Sequence, residues 1–295
     1  MGVSDKTSLP KNCPSAQQFA DFFEAKVVAV REATAGGDVT TELPPATEEF
    51  DHFQLCTVDD IKSAIMGSPS KSCELNPLPT DMLKIYLPEM LPFITEMCNA
   101  SLQQGVFPLS QRHAIIRPRL KKAGADPSDV QNYRPVSNLA FMAKVVEKLA
   151  CHQLVAFFEH LKLLTSLQSA YRKKHSTEMA VLKVITDVLC AADRGEVSLL
   201  CMLDLSAAFD TVDHNILIER LQQSFGVQGL ALSWIVFPAR PITGSQLCRC
   251  AVVQIILVLW RAARQYTWTS AFPGLLRGWH SYFQAMWSWS ALLRR

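Results

Sequence analysis

The sequence predicts an α/β (α+β) fold, mostly helical in its N-terminal half, with a core strand entering late. Two observations carry this. Residues 198–203 are a near-continuous apolar run of strand length that stops at Asp204, followed by a small-residue turn and the helical stretch 215–221. Such a run reads as a strand buried on both faces, and open α/β sheets place their sites at the carboxyl ends of strands. Apolar residues also recur at helical spacing through 137–164 and again through 176–192, the mark of helices with one buried stripe. Taken alone, Asp204 either accepts hydrogen bonds from the turn that follows or serves as a metal ligand; both readings stay open.

Composition limits the classes. A chain of 295 residues holds one large or two ordinary domains, and a hydrophobic fraction of 49% supplies an ample core. The net charge of +2 means that any basic surface must be local. Nine scattered cysteines without a C-x-x-C spacing point to a reducing compartment and against a zinc site or a disulfide framework. The first residues, Met1–Lys6, are polar and lack a signal-peptide core. The expected location is therefore cytoplasmic or nuclear. The apolar run Cys250–Trp260 is well short of the ~20 residues that cross a bilayer, so no membrane partner is expected.

In chain order, a polar lead precedes Ser15-Ala-Gln-Gln18, a capping-box pattern that starts a helix carrying Phe19, Phe22, Phe23, Val27 and Val30. Residues 34–49, with Gly36-Gly37 and Pro44-Pro45, read as a linker, so that 1–50 forms a lead, a helix and a linker. Thr57-Val-Asp-Asp60 caps a short helix ending at Gly67, and its acids favour the helix dipole rather than a metal. Pro79–Gln104 reads as two helices divided at Pro88 and closed by Gly105. Residues 111–124 are β-branched at the centre and basic at the edges, a strand closed by a glycine turn. Arg117, Arg119, Lys121 and Lys122 on it suit a phosphodiester backbone, where cations release condensed counterions. A helix is expected over 137–164 and another from Ser176 to about Ala192, closed by Gly195. From Val236 onward there is no Asp, Glu or Lys, and five of the six tryptophans lie there. That shift marks 236–295 as an unrelated Trp/Arg-rich tail.

Leu203-Asp-Leu-Ser-Ala-Ala-Phe-Asp-Thr-Val-Asp-His214 resembles the first catalytic motif of reverse transcriptases from non-long-terminal-repeat retrotransposons, the long interspersed elements. Asn132–Leu139 and Leu167–Glu178 agree with the same family in the expected order, and the resemblance runs from roughly Asp51 to Ile235. It implies the fingers and an incomplete palm of a right-hand polymerase over 51–235, with an RNA template, a DNA primer, a deoxynucleoside triphosphate and Mg2+ as partners. On that pattern Asp204 is the catalytic metal ligand, helped by the carbonyl of Leu205. Phe209 matches the aromatic that crowds a ribose 2′-hydroxyl, and Arg172 the residue that grips the incoming triphosphate. Lys173, Lys174 and Arg134 could contact triphosphate or template, and the Arg117–Lys122 segment belongs to the fingers over the template. Asp210 and Asp213 read as turn and cap residues.

The chain then departs from the family. The Pro-Gln-Gly-Ser stretch and the aromatic-Ala-Asp-Asp hairpin are both missing, and no acidic residue follows Glu219. The expectation is a truncated RNA-directed DNA polymerase without activity of its own. The alternatives are a non-catalytic nucleic-acid-binding remnant or a non-functional pseudogene product. Without the hairpin, the strand 197–205 would present an unpaired apolar edge, so self-association is expected unless 252–260 covers it.

Overall fold

Most helix boundaries lie where the local chemistry puts them. The computed structural model describes residues 13–34, 46–70, 73–112, 114–164, 169, 172, 174–198, 200 and 214–239. Its elements are α1 (Ala16–Thr34), α2 (Val58–Met66), α3 (Thr80–Ile85), α4 (Leu87–Gln104), β1 (Ala114–Leu120), β2 (Tyr133–Leu139), α5 (Phe141–His160), α6 (Thr177–Asp193), α7 (His214–Gln223) and α8 (Gly229–Ala239). Ser15 opens α1 with a reciprocal cap: its backbone N–H donates to Gln18 Oε1 at 2.8 Å, and Gln18 N–H donates to Ser15 Oγ at 3.3 Å. Thr57 and Asp60 form the same device at α2. That hydrogen bonding holds the Asp60 carboxyl below its usual range, so the Asp59-Asp60 pair is explained as a cap.

Two boundaries move. The break between α3 and α4 falls at Tyr86, and Pro88 lies inside the first turn of α4. Proline is tolerated there because the first N–H groups of a helix have no intrahelical acceptor. Helix α5 begins at Phe141 rather than near Ser137, because 133–139 is claimed by strand β2. Its start is tied down from a distance: Phe141 N–H donates to Asn76 Oδ1 at 2.7 Å.

The core forms around an extended segment, residues 50–57, laid across the helices. Two side-chain amides pair with its backbone as a neighbouring strand would. Gln153 accepts from Gln54 N–H at 2.8 Å and donates to its carbonyl at 3.0 Å. Asn99 does the same for Cys56, at 2.8 and 3.0 Å. Between these anchors Phe53 enters the core and meets Trp234 of α8 edge-on, at a centroid distance of 5.4 Å. Phe107 meets the other side of the indole at 5.3 Å. Trp234 is fully buried, and its Nε1 donates to Ser101 Oγ at 3.1 Å. Helix α8 thus continues the fold through Ala239, past the compositional border at Ile235.

The end of the expected linker is tightly held. Ala46 N–H donates to the Gln223 carbonyl, and Phe50 N–H donates to that of Gly226. Gln228 and Ala231 N–H groups donate back to the carbonyls of Phe50 and Asp51. At the opposite extreme, the expected core strand is not formed in the part of it that is described. Val197 is 97% exposed and Leu200 48% exposed, and neither they nor Ser198 pair with a strand. Among the described residues the one sheet is the antiparallel pair β1–β2; residues 197, 198 and 200 take no part in it, and a lone strand is not stable in water. Residues 201–213 lie outside the described residues.

Gly226 is the tightest point of this architecture. It has φ +68°, and a Cβ there would come within 2.2 Å of the Glu48 carbonyl oxygen. Gly226→Ala is expected to cost about 2–5 kcal/mol, the sum of left-handed strain and overpacking. Gly124, at φ +87° with nothing within 4 Å, carries the strain alone, so Gly124→Ala should cost about 1–2 kcal/mol. Urea midpoints of the two variants measure the difference.

Candidate nucleic-acid interface

The basic residues singled out in the sequence converge on one surface because of strand register. In the β1–β2 ladder Arg119 pairs with Arg134, Arg117 with Val136 and Leu120 with Tyr133. Lys121 N–H donates to the Asn132 carbonyl at 2.8 Å, which makes 121/132 a hydrogen-bonded pair. By alternation 119/134 and 117/136 are hydrogen-bonded pairs too, while 118/135 is not. Pro118 and Pro135 stand opposite each other at that non-bonded position, where the ladder requires no N–H.

Partners directly across a ladder share a face, and alternate residues along a strand share it as well. Arg117, Arg119 and Arg134 therefore lie together on the exposed face. Lys121 follows at the next alternate position, and Lys122 opens the connection; both are exposed. The opposite face carries Leu120, Tyr133 and Leu139, of which Tyr133 and Leu139 are buried. At the cross-strand pair two guanidinium groups start from Cα atoms about 5.5 Å apart. Like charges placed directly opposite each other are unfavourable, and an anion seated between them reverses the sign. Planar guanidinium forks fit phosphate oxygens well. Arg117 is engaged with Glu74, and Lys121 Nζ donates to the Gln131 carbonyl at 2.5 Å. The Arg117–Glu74 pair is exposed on both sides, so it is weak and exchangeable.

Other candidates lie elsewhere. Arg172 is half-buried in the approach to α6, its carbonyl accepting from His175 N–H at 3.3 Å. Lys174 adopts φ 63° in the same approach. Lys173, Asp204, Leu205, Phe209, Asp210 and Asp213 lie outside the described residues. Among the described residues no group of three His, Cys, Asp or Glu side chains could hold a metal. Burial pushes the Cys98 thiol up to about 12 and that of Cys151 up to about 11, so neither is a thiolate nucleophile at neutral pH. The cross-strand pairing of Arg119 with Arg134 went unread in the sequence. The signal was present in the matching Pro118 and Pro135, each one residue from its arginine on the side that antiparallel pairing requires.

Residues 120–253 match the family model of the reverse transcriptase (RNA-dependent DNA polymerase). Over this segment the chain is similar to reverse transcriptases. The match begins at the end of β1, contains β2 and runs past Ile235. The RNA-directed DNA polymerase from mobile element jockey of Drosophila melanogaster is 29% identical over 173 residues, covering 58% of this chain and 19% of that protein. Its namesake in Drosophila funebris is 28% identical over 54% of the chain and 17% of the relative. The transposon TX1 149 kDa protein of Xenopus laevis is 31% identical over 58% of the chain and 13% of the relative. The chain spans less than a fifth of the length of each. Its similarity is thus to the reverse transcriptases of non-long-terminal-repeat retrotransposons, and the exposed hairpin face is its described concentration of candidate phosphate-binding residues.

Because Glu74 occupies Arg117, it competes with any incoming polyanion. Glu74→Gln is expected to raise affinity for a heparin column, eluting at higher salt than the unaltered chain, while Arg117→Ala elutes earlier. Salt-gradient chromatography of the two variants checks the order.

Proposed function

We propose that this chain holds the fingers and the start of the palm of a retrotransposon reverse transcriptase, and that it binds nucleic-acid backbone without catalysing synthesis. The observation that carries the reading is the β1–β2 register, which gathers Arg117, Arg119 and Arg134 on one exposed face with Lys121 and Lys122 beside them. A face of exposed cations favours contacts to phosphates over contacts to bases. The binding should therefore be independent of sequence and sensitive to salt. RNA template and DNA primer are the natural occupants, with Arg172, Lys173 and Lys174 contributing toward template or triphosphate.

The catalytic half of the proposal rests on the donor set. In-line phosphoryl transfer by two metal ions about 3.5–4 Å apart needs several carboxylates to neutralise and space them. Asp204, with the Leu205 carbonyl, is the one family ligand this sequence provides, and no Asp or Glu follows Glu219. The residues present do not fit a pair of Mg2+ ions. Phe209 would keep its place against a sugar, yet it has no chemistry to select for. The chain should work in a cytoplasmic or nuclear setting, where the six free cysteines among the described residues stay reduced.

The 295-residue chain is expected not to extend a DNA primer on an RNA template with magnesium or manganese. Extension that vanishes in an Asp204→Ala control would reverse the catalytic half of the reading. Its affinity for single-stranded RNA should fall with salt at a log–log slope of about −0.7 per phosphate contact. Reversing charge at both Lys121 and Lys122, as Lys→Glu, should weaken binding at least about tenfold and equally for unrelated sequences. Fluorescence anisotropy at several salt concentrations measures both quantities.

A further inference from the structure

The basic face belongs to a hairpin whose far end is covered by one helix, and that helix lies outside the family-matched residues. At the base of the hairpin Ala114 and Leu139 join the main core. At the other end Tyr133 and Leu120 join a separate small cluster with Phe19, Phe22 and Phe23 of α1, Cys13 just before it, and Val130. Phe19 is 4% exposed and Tyr133 3% exposed, and their rings meet edge-on at 4.8 Å. Tyr133 donates its hydroxyl proton to the Pro127 carbonyl at 2.9 Å, which ties the hairpin connection to the same point. Tyr133 is the neighbour of Arg134 in sequence and the ladder partner of Leu120, itself the neighbour of Arg119.

A strand that slips by one residue sends every side chain to the other face. Whatever holds Tyr133 and Leu120 inward therefore holds Arg134 and Arg119 outward. We infer that Phe19 of α1 is a positioning residue for the nucleic-acid interface: it makes no contact with the ligand, and it fixes the register that puts Arg119 opposite Arg134. The inference rests on the proposed binding of nucleic acid by this face, and it adds residues 13–34 to the binding unit although the family match begins at residue 120.

The test uses the full 295-residue chain as unaltered protein, Phe19→Ala and Phe19→Leu, with a short fluorescein-labelled oligouridylate as probe. Phe19→Ala should weaken binding about three- to tenfold and reduce the magnitude of the salt slope by about 0.7, one phosphate contact. Phe19→Leu, which keeps an apolar side chain at the site, should return affinity to within about twofold of the unaltered chain. Hydrogen exchange should quicken in 115–138 of the alanine variant while amides of α2, α4 and α5 keep their protection. Unaltered affinity and slope in Phe19→Ala, with the unaltered chain binding, would overturn this inference alone. Loss of protection throughout the molecule would overturn it too, since Phe19 would then serve general stability. No binding by the unaltered chain would overturn the functional reading on which it rests.

Discussion

Burial of Trp234 between Phe53 and Phe107 is the constraint that the helical body depends on. Three segments distant in sequence meet at that indole: the extended strap 50–57, the end of α4 and helix α8. Full burial of so large a side chain supplies more than an ordinary core position, and each edge-on aromatic contact adds about 0.5–1.5 kcal/mol. The polar edge is satisfied as well. Trp234 donates to Ser101, which donates in turn to the Val106 carbonyl at 2.8 Å, so the indole also secures the turn that ends α4. Gly105 completes this fit: it takes φ +65°, and a Cβ there would stand 2.8 Å from the Leu230 carbonyl oxygen.

The same contact reaches outside the segment that matches the family model. The family match starts at residue 120, yet the residues that enclose Trp234 come from 53, 101 and 107. A fragment beginning at the match would leave the indole without Phe53, Ser101 and Phe107. Sequence similarity records which positions tolerate change in a family. Core burial records which segments exclude water from one another, and the two need not share boundaries.

The hairpin shows how a nearly neutral chain makes a charged surface. A net charge of +2 spread over 295 residues is no signature of nucleic-acid binding. Alternation along β1 and β2 sorts the arginines to one side and the apolar residues to the other. The cost is repulsion between Arg119 and Arg134, which α1 offsets through the Phe19–Tyr133 contact on the reverse face.

What the sequence determined by itself was whatever depends on neighbours a few residues apart. The caps at Ser15, Thr57 and Ser176, the terminating Gly105 and Gly195, and the helices they bound are short-range events, set by hydrogen bonds within one turn. The family resemblance, too, lay in contiguous motifs, as did the basic residues of the fingers segment. What only the tertiary structure decided was everything set by partners far along the chain. Apolar spacing from Ser137 onward is helical, but pairing with β1 draws 133–139 into a strand. Residues 46–49 have the composition of a linker, yet Gly226 offers a groove without a Cβ into which that backbone fits. Trp234 stands beside the change in composition, yet two phenylalanines over a hundred residues away make it the centre of the core. Arg119 and Arg134 became one site through register, a property of two strands together that neither strand's own sequence contains.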